Sequence, residues 1–148
     1  MRLALDTSVL AYAEGVNGAS MRNSATVIID RLRPANTFLP VQVLGELFYL
    51  LVRKGIFSPQ RARSSLLAWQ DSFRFIETSG AVMLMAADLA ARHHLKIWDS
   101  VVLAAAASAG CRLLLSEDLQ DGFTWNGVTV VNPFSKTPHE LLAEALEP

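Results

Sequence analysis

Short apolar runs separated by helical stretches constrain this chain of 148 residues more than any other feature. Residues 3–5, 37–39, 73–77, 112–115 and 128–131 read as strands: each run is brief, apolar or alternating, and followed by turn or capping residues. Helical patterns fill the intervals. Ala25, Ile28, Ile29 and Leu32 recur at helical spacing over 21–32, with Ser20 or Asn23 as possible caps. Pro40 suits the first turn of a helix that runs to about Lys54, and Gly55 suits its C-terminal stop. Ser58-Pro59 starts a helix towards Ser72, and further helices are expected over 82–93, 97–110 and, as a tail, 138–146. Residues 122–127 read as a loop. Strands spaced by helices need crossover connections, so the expected fold is α/β, with a mainly parallel central sheet flanked by helices. No repeat, low-complexity tract or linker interrupts the chain, and a single domain over 1–148 is expected.

Composition narrows the function classes. A hydrophobic fraction of 51% supplies a proper core, yet no segment reaches the apolar length of a membrane span. The N-terminal apolar run is broken by Asp6, which argues against a signal peptide, and a cytoplasmic, soluble chain with no membrane partner is expected. The single cysteine, Cys111, excludes an internal disulfide and reads as a small core residue. A net charge of −1 provides no global basic field, so nucleic acid would have to be held by a local basic patch or by metal ions.

The acidic residues carry the chemistry. Leu3-Ala4-Leu5 suits a strand buried on both faces, and Asp6 ends it where α/β sheets collect their functional groups. Asp6 also suits a helix N-cap. Glu46 is the one charge in residues 43–52, with Val43 and Leu50 one turn away. An unpaired carboxylate buried there would cost several kcal/mol, so it calls for a cation or a hydrogen-bond network unless it sits at the exposed edge of the stripe. Asp99 opens a helix with no other charge in its next ten residues, as an N-cap also would. Asp118 follows the strand at 112–115, with Glu117 and Asp121 beside it as competitors. A parallel sheet can bring Asp6, Glu46, Asp99 and Asp118 to one end. Clustered carboxylates repel unless a cation joins them, and hard oxygen donors select Mg²⁺ or Mn²⁺. Sites of this type drive phosphoryl chemistry.

Other residues weigh less. Arg53 lies two turns beyond Glu46 and, with Lys54, Arg61 and Arg63, could grip RNA phosphates; Lys54 more simply answers the dipole at a helix C-terminus. Adjacent His93 and His94 point apart on a helix and make a poor ligand pair. Trp98 reads as a packing residue, Met83 and Met85 as core, and the alanines at 104–107 as a surface for close helix packing.

The segments Leu5-Asp6-Thr7-Ser8, Leu44-Gly45-Glu46-Leu47, Ile97-Trp98-Asp99-Ser100 and Leu115-Ser116-Glu117-Asp118 together resemble the PIN domain family, and more narrowly the ribonuclease toxins of bacterial VapBC toxin–antitoxin pairs. The resemblance covers nearly the whole chain, as far as Val131-Asn132-Pro133-Phe134. It implies a PIN-like three-layer fold and an endoribonuclease that hydrolyses RNA phosphodiesters with metal-activated water. By motif, Asp6, Glu46, Asp99 and Asp118 would hold Mg²⁺ or Mn²⁺, with Ser8 and Ser116 as the small polar residues beside the first and last acids. The Ser-Glu-Asp form leaves open whether Asp118 alone or Asp118 with Asp121 completes the site. The implied partners are RNA, a cognate antitoxin protein and a second copy of the chain. Two alternatives compete. One is an aspartyl-phosphate phosphatase with Asp6 as nucleophile, although Ser8 stands where that chemistry wants a second Asp. The other is a degenerate module that binds RNA or protein without cleaving.

Overall fold

The computed structural model describes residues 1–148. Its centre is a six-stranded sheet built from β1 (Leu3–Leu5), β2 (Thr37–Pro40), β3 (Arg74–Ile76), β4 (Leu113–Leu115), β5 (Thr124–Trp125) and β6 (Val128–Val131). The strands lie in the order β3-β2-β1-β4-β6-β5 and all pair in parallel except β5 with β6. Seven helices flank them: α1 (Thr7–Ala13), α2 (Ala19–Arg31), α3 (Val41–Arg53), α4 (Pro59–Ser72), α5 (Gly80–His93), α6 (Ile97–Ser108) and α7 (Glu140–Ala145). The expected α/β class and parallel sheet are therefore observed.

Burial explains the central strands. Leu3, Ala4, Leu5, Leu113, Leu114 and Leu115 are all buried, as strands covered on both faces require. Leu3–Leu5 pairs residue for residue with Leu113–Leu115, which brings the carboxyl ends of β1 and β4 side by side. The ladder continues one residue further: the Asp6 N–H donates to the Leu115 carbonyl at 2.9 Å, and the Ser116 N–H to the Val131 carbonyl at 3.0 Å. Alanines 104–106 are buried where α6 meets the core, giving the close packing their small size allows. The Cys111 thiol is buried, which pushes its pKa up to about 11 and leaves it an inert core group.

Some local expectations fail for identifiable reasons. The loop at 122–127 contains the short strand β5, which turns back onto β6 through Asn126 and Gly127. Both have positive φ, 49° and 81°, as a type I′ hairpin turn demands. Neither Ser20 nor Asn23 caps α2, which starts earlier at Ala19 after Gly18 with φ 92°. Trp98 is not a packing residue: on the first turn of α6 it keeps 53% of its surface exposed. Met83 and Met85 are only partly buried against the core. No helix is long and apolar enough to cross a membrane.

Candidate active site

Asp6 ends β1 and caps α1 at once. Its Oδ1 accepts the Thr7 N–H at 2.8 Å, so the capping role read from the sequence is real. The same carboxylate does more than cap, because its Oδ2 accepts the Ser116 hydroxyl at 2.6 Å across 110 residues of chain. The Ser116 Oγ in turn accepts the N–H groups of Asp118 and Leu119 at 3.2 and 3.3 Å. One serine thus ties the end of β1 to the turn after β4.

Glu46 projects from α3, half-buried, between the two readings its sequence allowed. Its Oε2 accepts the Thr7 hydroxyl at 2.6 Å and its Oε1 accepts the Gln42 amide at 3.0 Å. Thr7 and Gln42 were not singled out in the sequence. Gln42 could have been, since it stands one helical turn before Glu46; the contact to Thr7, 39 residues away, is purely tertiary.

Asp99 is not an N-cap. That position belongs to Lys96, which makes no side-chain capping bond, and Asp99 sits within the first turn of α6. Asp118 lies at the rim, open to water on one side. Its two competitors are engaged elsewhere. The Glu117 Oε1 accepts the Tyr12 hydroxyl at 2.6 Å, while its backbone N–H donates to Ser8 Oγ at 3.2 Å. Asp121 Oδ1 accepts the Asn132 N–H at 2.9 Å, beyond the turn. Burial and the bond to Glu117 push the Tyr12 hydroxyl up to about 12, so it stays a donor.

Burial and the charges of Glu46 and Asp118 act on this set of acids. Burial raises Asp6 to about 6; Ser116 and Thr7 pull it back, while Glu46 and Asp118 push it further up. Asp99 is raised by burial and then by the charge of Glu46, with Lys96 opposing and Asp118 adding. Asp118 is raised by partial desolvation, then by Glu117 and Glu46, again with Lys96 opposing. Four stretches far apart in sequence therefore meet in one negative field at the carboxyl end of the sheet. A cleft of about 280 Å³ opens there, lined in part by Thr7, Ser8, Glu46, Leu50, Lys54 and Asp118. Lys54, not Arg53, is the cation on its wall. The Arg53 guanidinium turns instead to Tyr49, donating to its hydroxyl at 2.9 Å. His93 packs edge-on against Phe123 at 5.4 Å and His94 ends α5 with φ 55°, so neither joins the acids.

A family model described as the PIN domain matches residues 3–121. The chain belongs to the PIN domain family. Solved structures agree on the fold. The crystal structure of VapC20 from Mycobacterium tuberculosis, described as a sarcin-ricin loop cleaving toxin, aligns with a TM-score of 0.66 at 20% identity. That alignment covers 78% of this chain and 89% of the other. A toxin–antitoxin complex from Klebsiella pneumoniae contributes a chain with a TM-score of 0.67 at 21% identity, over 90% of this chain and 98% of that one. VapBC2 from Rickettsia felis, bound to a DNA fragment from its promoter, gives 0.62 at 15% identity, over 88% and 97%. No curated protein gives a significant match.

The donor set of this PIN domain fits a hard divalent cation, since every candidate ligand is a carboxylate oxygen. No three of these groups stand close enough to form a closed cage. That suits Mg²⁺, which keeps several waters and takes one or two carboxylates together with substrate phosphate.

Proposed function

We propose that this PIN domain is a metal-dependent endoribonuclease acting as the toxin of a type II toxin–antitoxin pair. The observation that carries the chemistry is the convergence of Asp6, Glu46, Asp99 and Asp118 from separate stretches of chain: burial raises Asp6, Asp99 and Asp118, and the charge of Glu46 raises all three further. Such a field binds a cation and repels an RNA phosphate until the cation is present. Asp6, Asp99 and Asp118 would hold Mg²⁺ or Mn²⁺, one or two of them directly and the rest through the ion's waters, and Glu46 would share that role or orient water. Bound there, the metal would supply Lewis acidity and lower the pKa of water for attack on a phosphodiester. The protein's own part is positional. Thr7 and Ser116 hold both oxygens of Asp6, and Thr7 and Gln42 hold both oxygens of Glu46. Ser8 and Tyr12 draw Glu117 away, so the Asp118 carboxyl is the acid of that turn left to face the site. Asp121, occupied by Asn132, is assigned no part. An aspartyl-phosphate route would want a second acid two residues beyond Asp6, and Ser8 stands there.

The test is cleavage of RNA with Mg²⁺ or Mn²⁺ and in excess chelator. Cleavage should need the metal and leave 5′ phosphate and 3′ hydroxyl ends; full cleavage in chelator would sink the metal mechanism. The toxin assignment rests on the solved neighbours named as toxins and on the motif resemblance. Uncontrolled expression should halt bacterial growth, and Asp6→Asn should relieve it at matched expression. A small cognate antitoxin should bind and cover the acidic cleft with a basic side chain, since a guanidinium suits paired carboxylates. A homodimer is expected, and sedimentation showing only monomer across micromolar concentrations would refute it.

A further inference from the structure

Glu46 borders two clefts rather than one. Beside the acidic cleft, a second of about 420 Å³ is lined by Gln42, Gly45, Glu46, Tyr49 and Leu50. Glu46 and Leu50 belong to both, so α3 forms the ridge between them. Two features of the second cleft have no structural cause. Tyr49 leaves 58% of its surface in water. Its ring is nonetheless braced: Arg53 donates to its hydroxyl at 2.9 Å, with the guanidinium 5.6 Å from the ring centroid. Gly45 stands one turn before Tyr49 inside α3, where glycine weakens a helix relative to alanine. A Cβ at Gly45 would meet nothing within 4 Å, so no neighbour requires its small size. Glycine adds no side chain to the cleft it shares with Tyr49 and with Glu46, a candidate metal ligand.

We propose that Tyr49 is a stacking platform for the RNA base adjoining the scissile phosphate. Gly45 keeps its approach clear, Arg53 fixes the ring, and Lys54 receives a phosphate on the other side of Glu46. The inference rests on the ribonuclease reading and adds to it the course of the RNA across α3. A flat, sequence-tolerant surface is what a base offers and needs, and Lys54 in the acidic cleft supplies the charge a phosphate needs beside Glu46 and Asp118. The contact is made away from the reacting bond, so it acts on binding rather than on the chemical step.

The experiment is steady-state cleavage of a random-sequence pool of single-stranded oligoribonucleotides by the full chain with Mn²⁺. Tyr49→Ala should raise the apparent KM about tenfold with little change in kcat, and Tyr49→Trp should restore it. Gly45→Leu should raise KM similarly while the protein melts at a higher temperature, because leucine is the better helix former. That pairing separates a blocked cleft from a damaged fold. Lys54→Ala should raise KM and reduce the dependence of log KM on log salt by about one. If wild type cleaves and Tyr49→Ala keeps its KM, or loses kcat alone, the inference falls and the ribonuclease reading stands. A Tyr49 surface used by a protein partner would give that unchanged KM. If wild type neither binds nor cleaves the pool, both fall together.

Discussion

The acids on the two sides of the site are held in opposite ways. Asp6 and Glu46 each accept two hydrogen bonds, and Thr7 serves both, through its N–H to Asp6 and its hydroxyl to Glu46. Asp99 and Asp118 accept none from the protein, and the charge of Lys96 opposes the rise in their pKa values. Asp6 stands between β1 and α1 and Glu46 on α3, joined through Thr7, whereas the second pair stands on a helix start and a turn. A site divided this way has one fixed wall and one adjustable wall. Side chains that orient ligands contribute strongly to metal sites, so the two walls should fail differently when disturbed.

The largest effect should come from removing a ligand on either side. Asp6→Asn and Asp99→Asn should each reduce RNA cleavage by about 100-fold or more, since each removes charge proposed to hold the cation. Saturating Mn²⁺ should raise the wild-type Tm, because it binds only the folded site, and should raise that of Asp99→Asn much less. If cleavage survives either substitution, the four acids are not one site.

The next effect is specific to the fixed wall. Thr7→Val removes the hydroxyl that Glu46 Oε2 accepts but keeps the shape and the backbone N–H. Metal affinity, read from the Mn²⁺ dependence of cleavage, should weaken by about 10- to 100-fold. No neighbour of Asp99 offers a matching experiment, because no side chain holds it. An unchanged Mn²⁺ dependence in Thr7→Val would erase the contrast between the walls.

This contrast also marks what could be read from the sequence. The acids themselves were legible: each stands where a strand ends, a helix begins or an apolar stripe is interrupted. Their restraints were not, because Thr7–Glu46 and Ser116–Asp6 are contacts between segments 39 and 110 residues apart. The parallel sheet was legible from run lengths, whereas β5 was missed although Asn126-Gly127 is a hairpin signal; two residues of strand give no periodicity to detect. Trp98 read as a packing residue because a large aromatic side chain favours burial, but its place on the first turn of α6 leaves 53% of it in water.

The pH dependence probes the fixed wall again. Asp6 is raised from an ordinary 3.8 to about 6 in the folded chain, so ionising it costs the folded state more than the unfolded one. The penalty is absent below about 4, grows between about 4 and 6, and is complete above that. In chelator, wild type should therefore lose stability relative to Asp6→Asn as pH rises from 4 to 7, by at most about 3 kcal/mol. The comparison uses the change with pH, because Asn leaves a constant mismatch: Ser116 Oγ already accepts two N–H groups and is poorly placed to accept the amide. Parallel stability curves for the two proteins would show that Asp6 ionises as freely folded as unfolded, so that neither its burial nor the charges of Glu46 and Asp118 raise it.

The smallest effect decides which acid of the last turn belongs to the adjustable wall. Asp118 and Asp121 are three residues apart and both are exposed, so burial does not separate them. Their partners do. The Asp121 carboxylate accepts the Asn132 N–H at 2.9 Å and so closes the turn onto the end of β6. The Asp118 carboxylate is left to the field of Glu46, Glu117 and Lys96. Asp121→Ala should lower stability by up to about 1 kcal/mol, the net contribution of one exposed hydrogen bond, and leave cleavage within about twofold of wild type. Asp118→Ala should do the reverse, abolishing most cleavage while leaving the Tm in chelator unchanged or slightly higher as repulsion is relieved. Urea unfolding in chelator and cleavage in Mn²⁺ on the same two variants check both halves. If Asp121→Ala loses cleavage as severely as Asp118→Ala without losing stability, the turn supplies two acids, and the adjustable wall is larger than Asp99 and Asp118 alone.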